Sequence, residues 1–152
     1  PVVLETKPEL SLSKRYSITR NRTVEICSYL QAEDMVVQPI IDVSPPKWHL
    51  AHTTWFFETF ILTTLPDYQP FHPDYNFLFN SYYEHEGERW QRANRGLLSR
   101  PWVKEVMAYR NYVDDHVKQF LSNDAIISEV RHRRVPPAAP APANGAVGRC
   151  RP

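Results

Sequence analysis

Between Val103 and Phe120 apolar residues return every three or four positions, at Val103, Val106, Tyr109 or Arg110, Val113, Val117 and Phe120. This is the spacing of one buried helical face. A cap near Ser99, with Pro101 in the first turn, is expected to open this helix. Another helix is predicted to start at Ser44 as N-cap, with Pro45 in the first helical position, where its missing N–H costs nothing, and to run to about Leu65 before Pro66. Along it Trp48, His52, Trp55, Thr59 and Leu62 form one stripe, while Leu50, Phe56, Phe57, Phe60 and Ile61 make its other sides apolar as well. A helix apolar almost all round belongs at the centre of a bundle. Upstream, Tyr16, Val24, Ile26, Cys27 and Leu30 predict a first helix over about Leu12 to Leu30. The segment from Met35 to Val43 is too rich in β-branched residues for a helix. Between the second and last long helices the pattern gives a proline-marked loop over Pro66–Pro73, a short helix after Asp74 through Tyr83, and a polar, arginine-rich loop from Gly87 to Leu98. With three long helices and no alternating strand pattern, the class is all-α and the architecture a four-helix bundle. Its last member, starting near Asp124, breaks off after Ile126, Ile127 and Val130.

Charge sharpens that break. Residues up to 130 hold all 17 acidic side chains and 13 of the 18 basic ones, whereas the tail beyond has five arginines and no acid. The tail runs through Pro136-Pro137-Ala138-Ala139-Pro140-Ala141-Pro142 with no aromatic residue and no apolar periodicity. It cannot bury enough apolar surface to offset the entropy of ordering it, so 131–152 reads as a disordered tail. Residues 1–11 read as an N-terminal extension and 12–130 as the helical domain. A hydrophobic content of 42% and a charged content of 23% are those of a soluble globular protein. The near balance of charge calls for no nucleic acid, and no apolar run approaches the roughly 20 residues of a membrane span. Cys27 and Cys150 form no metal or disulfide pattern, which points to a reducing cytoplasm. The chain begins without Met, as a fragment or a processed protein would.

The candidate chemistry sits among the aromatics of the second helix. His49 and His52 are one helical turn apart between Trp48 and Trp55, and a buried imidazole needs a partner for each ring nitrogen. For His52 that partner is either an ordinary polar group of the core or a metal ion. His116 reads as solvent-facing beside Asp115 and Lys118. His72, His85 and His132 lie in loops or the tail, and Glu84-His85-Glu86 reads as a solvated helix end. Arg92 and Arg95, near Trp90, either make a guanidinium pocket for a carboxylate or phosphate, or are solvated and paired with Glu86 or Glu88.

Three blocks go further. The run Ser44-Pro45-Pro46-Lys47-Trp48-His49-Leu50-Ala51-His52-Thr53-Thr54-Trp55-Phe56-Phe57-Glu58 closely resembles the N-terminal DinB-like domain of the EgtB-type sulfoxide synthases of ergothioneine biosynthesis. Phe79-Asn80-Ser81-Tyr82-Tyr83 is similar to the same family, as is Arg95-Gly96-Leu97-Leu98-Ser99-Arg100-Pro101 leading into Tyr109-Arg110-Asn111-Tyr112-Val113-Asp114. The resemblance covers roughly residues 12–130 and implies a DinB-like four-helix bundle. It further implies a non-haem Fe(II) cofactor held by three histidines, of which His52 is one and His49 a buried neighbour. Arg92 and Arg95 would bind the carboxylates of a thiol substrate, and the second substrate would be hercynine.

The departures carry equal weight. The family's other two iron ligands come from a later His-x-x-x-His helix that this chain lacks, and its large C-terminal domain is also missing, so the resemblance leaves no catalytic residue to assign here. A single imidazole does not make a facial iron site. Reading the codons of Pro136–Pro142 from their second bases permits His-Gln-Gln-His-Gln-His, in keeping with a frameshift near residue 131. Two classes of function therefore stand side by side. One is the N-terminal fragment of an iron- and dioxygen-dependent sulfoxide synthase, or a related stand-alone DinB-like metal-dependent thiol transferase. The other is a non-catalytic truncated helical module. In either case an uncovered second helix predicts self-association.

Overall fold

The computed structural model describes residues 10–81 and 83–123. Their elements are α1 (Leu12–Ile26), a 3₁₀ turn (Asp34–Val36), α2 (Pro46–Phe60) with a 3₁₀ extension (Leu62–Thr64), the short α3 (Tyr75–Phe79), 3₁₀ turns at Glu84–Glu86 and Arg92–Leu97, and α4 (Val103–Leu121). The described residues are all-α, with no strand among them. The helix expected from Asp124 and the tail from 131 lie outside the described residues.

Helix α2 is central. It packs most extensively on α4 and also meets α3 and the 34–36 turn, whereas α1 reaches the bundle chiefly through α4. Trp48, Leu50, Ala51 and Trp55 are buried on α2, and burying each of the large side chains contributes about 1.5–3 kcal/mol. Both indoles also serve as tethers. Trp48 Nε1 donates to Leu78 O at 3.0 Å and Trp55 Nε1 to Asn76 Oδ1 at 2.7 Å, which fixes α3 across α2. The periodic face expected of α4 is the face that is buried, with Val106, Tyr109, Arg110, Val113, Val117 and Phe120 inside.

Several element ends differ from the sequence expectation. Ser44 does not cap α2. Pro45 occupies the N-cap and Pro46 the first turn, which frees the Ser44 hydroxyl to accept from Arg95 Nη1 at 2.8 Å. Helix α4 starts at Val103, after Pro101, and its entry is closed by the Glu105 carboxylate accepting from Trp102 N at 2.6 Å. Helix α1 ends at Ile26, not Leu30, and of its expected stripe only Tyr16 is buried, while Val24 and Ile26 face solvent. Its second buried residue is Arg20. Arg20 Nε contacts Asp114 Oδ1 at 2.7 Å and Nη2 donates to Thr54 Oγ1 at 2.7 Å, while Tyr16 OH donates to the same Asp114 oxygen at 2.6 Å. A polar knot thus joins α1 to α2 and α4 where an apolar seam was expected.

Candidate functional site

Imidazole chemistry at the centre of the bundle begins with one backbone carbonyl. His52 Nδ1 lies 2.7 Å from Phe79 O, the residue that ends α3. A carbonyl can only accept, so Nδ1 carries the proton and Nε2 keeps its lone pair. The ring is held flat between two indoles, stacked on Trp48 at 4.6 Å and on Trp55 at 5.5 Å between centroids. Burial, the largest influence, pulls the His52 pKa below the ordinary histidine value, and the nearby Arg95 charge acts in the same sense against the Phe79 hydrogen bond. His52 is therefore a neutral imidazole of fixed tautomer and fixed plane. That is the arrangement in which a histidine ligates a metal while its other nitrogen is tied to a carbonyl.

The turn after Phe79 has its own internal brace. Asn80 is fully buried; its Nδ2 donates to Tyr83 O at 3.0 Å and its Oδ1 accepts from Tyr83 N at 3.2 Å. Next to it Ser81 O accepts from Arg89 Nη1 at 2.8 Å. The Phe79-Asn80-Ser81 segment thus presents one carbonyl to His52 and another to the arginine loop.

Arg95 is buried, against the alternative of a solvated loop residue. Its guanidinium lies over the Trp48 ring, 3.3 Å from the centroid, the same indole that stacks on His52. Nη1 donates to Ser44 Oγ at 2.8 Å and Nη2 to Ser81 Oγ at 3.4 Å, whereas Nε is buried without a protein partner. Burial first, then Arg92 and Arg89, bring its pKa down to about 10, so it remains charged at neutral pH. Arg89, Arg92 and Arg95 line one cavity of about 180 Å³ with Ser81, Trp90 and Gln91. Three arginine side chains thus meet at one small cavity. Sequence reading singled out Arg92 and Arg95 but missed Arg89. Its link to Ser81 spans a turn that no periodicity reveals.

His49, expected as a buried neighbour of His52, is instead exposed, its ring edge-on to Trp48 at 5.7 Å and hydrogen-bonded to the Ser44 backbone. Three residues is less than one full helical turn, so the two rings diverge around the axis. His116 differs in the opposite sense. It is half-buried, its Nδ1 is 2.8 Å from Tyr112 O, and its ring packs on those of Tyr68 and Tyr112. His72 and His85 are exposed, as expected.

Other buried polar residues went unread. Glu58 accepts from Tyr68 OH at 2.7 Å, Phe71 N at 3.0 Å and Tyr109 OH, and Lys47 Nζ donates to Leu98 O at 2.7 Å. Both hold loops onto α2, and neither borders the arginine cavity. Among the described residues no group of three or more His, Cys, Asp or Glu is placed to hold a metal ion. His52 is thus a ligand candidate without a completed set there.

All three sequence blocks converge on this place: the first supplies His52 and Trp48, the second the Phe79 and Ser81 oxygens, the third Arg95. Comparison with curated proteins gives no match. The profile of the DinB superfamily matches residues 15–150, nearly the whole sequence and all three blocks, and the chain belongs to that superfamily.

Proposed function

We propose that this chain is the amino-terminal bundle of an iron(II)- and dioxygen-dependent sulfoxide synthase of ergothioneine biosynthesis, joining a cysteine-derived thiol to hercynine in the cytoplasm. The reading rests on the resemblance of the three blocks and on DinB superfamily membership, in a superfamily that is in general metal-associated. The observation that carries it is the His52 ring, pinned through Nδ1 to Phe79 O, with Nε2 as its remaining donor atom and with Arg95 linked to it through Trp48. In this reading His52 Nε2 provides one iron ligand, and the two further histidine ligands that the resemblance implies are not among this chain's residues. Arg92 and Arg95 receive the carboxylate of the thiol substrate. Bound iron would supply the activation of dioxygen. The protein's part is to hold the imidazole neutral and oriented, and to place the substrate's charge close to it.

Iron(II) titration of the whole chain under anaerobic conditions tests this. Where the parent chain binds iron(II), His52→Ala should lose far more affinity than His49→Ala, which sits at an exposed position. Equal loss in both variants would remove His52 as ligand. No binding to the parent sequence would favour the non-catalytic helical module.

A further inference from the structure

Gln38 stands in the irregular segment before α2, outside every block that carries the resemblance, and its carboxamide is wholly engaged with backbone. Nε2 donates to Arg92 O at 2.8 Å and to Val43 O at 2.9 Å, and Oε1 accepts from Gly96 N. Arg92 opens the 3₁₀ turn that carries Arg95, and Gly96 is its last residue but one. Val43 precedes Ser44, whose hydroxyl takes Arg95 Nη1 at 2.8 Å. One neutral side chain therefore clamps both ends of the arginine turn and ties it to the strand of chain that enters α2.

Gly96 makes the approach feasible. A Cβ there would sit 2.8 Å from Gln38 Cβ, which is the fixed root of the side chain and cannot swing away. Around Gln38 the chain is open, with Ile40 58% and Ile41 66% exposed, so no core packing at that point depends on it. Within the turn and at its ends Asn94 N donates to Gln91 O at 3.0 Å and Leu98 N to Arg95 O at 3.3 Å, bonds that hold its shape but do not place it against α2. Its position relative to His52 must come from cross-links such as those of Gln38.

We propose that Gln38 is the positioning residue of the arginine site, setting Arg92 and Arg95 at the cavity edge in the register that receives a carboxylate. This rests on the carboxylate reading of those arginines. A glutamine is required because the clamp needs a donor pair and an acceptor on one planar group. Glutamate keeps the shape but cannot donate to two carbonyls, and it adds a negative charge beside the arginines.

The test uses the whole chain, with L-cysteine as carboxylate probe in calorimetric titration and iron(II) as a separate probe of His52. Gln38→Ala, Gln38→Glu and Gly96→Ala should each raise the dissociation constant for cysteine by about tenfold or more. Iron affinity, where the parent shows it, should stay at the parent value, and the melting midpoint should fall only modestly, by the clamp's own hydrogen bonds. The Gln38→Ala/Gly96→Ala double variant should be little worse than either single, since both disrupt the same clamp. Unchanged cysteine affinity, or a loss matched by equal losses in iron affinity and melting, would overturn the proposal. Failure of the carboxylate reading shows separately, as Arg92→Ala and Arg95→Ala variants that bind cysteine like the parent. Hydrogen exchange then decides on Gln38 without any ligand. Faster exchange of the Gly96 amide in Gln38→Ala, with α4 amides unaffected, supports the clamp, and unchanged exchange there refutes it.

Discussion

At the scale of single residues, the behaviour of His52 follows from one hydrogen bond and two stacked indoles. Burial lowers its pKa in the fold below the value of about 6.5 that it has in an unfolded chain. The unfolded state therefore takes up a proton first as pH falls. The contribution of His52 to stability is complete above about pH 6.5 and is lost as pH drops through the lower folded value. In urea unfolding from pH 8 to pH 5, His52→Phe should lose part of the acid destabilisation seen in the parent, and the His52 ring should titrate below the ordinary histidine value by NMR. Titration at or above the ordinary value would contradict the buried, neutral assignment. The residue type at position 52 was legible because imidazole among tryptophans needs a partner. Its tautomer was not, because Phe79 is 27 positions away and only the fold brings its carbonyl to the ring.

The elements show how polar groups substitute for apolar seams. Helix α1 has little buried apolar surface and is held by Arg20 and Tyr16 on Asp114, with side-chain exposures of 5% and 13% for Arg20 and Asp114. Arg110 Nη2 adds a bond to Arg20 O at 2.8 Å. Asp114→Ala strands a buried guanidinium beside a second one and should cost about 3–5 kcal/mol, the usual loss when one partner of a buried pair is removed. Asp114→Asn keeps an acceptor and should cost less. Urea denaturation of the two variants checks the order, and an alanine effect under about 1 kcal/mol would mean that water compensates Arg20. The amphipathic face of α4 was readable from its period alone, since a helix buried on one side must repeat every three to four residues. The packing of α1 was not, because its anchoring residues are polar and the carboxylate they share, Asp114, lies more than 90 positions away.

At the scale of the molecule, large apolar side chains remain exposed on two surfaces. One is α1, with Leu12, Ile18 and Ile26. The other is the flank of the arginine turn, where Ile40, Ile41 and Leu97 border a cavity of about 350 Å³. Exposed apolar patches beyond a few hundred Å² favour association. The chain is therefore expected to sediment as concentration-dependent oligomers, with a mass that falls on dilution. A single species at monomer mass across the range would show that these side chains are too dispersed to join copies. No described helix is long and apolar enough to cross a membrane.

Local sequence determined the helices, the central place of α2, the buried face of α4 and the candidacy of His52, Arg92 and Arg95. Each of these depends on interactions within a few residues, or on a period that one buried face imposes. Tertiary structure alone decided which nitrogen of His52 is free, that His49 faces solvent, and that Arg89 joins Arg92 and Arg95 at one cavity. It also decided that Gln38 closes over Gly96. These outcomes depend on directional hydrogen bonds between segments far apart in the chain, and such bonds leave no period in the sequence.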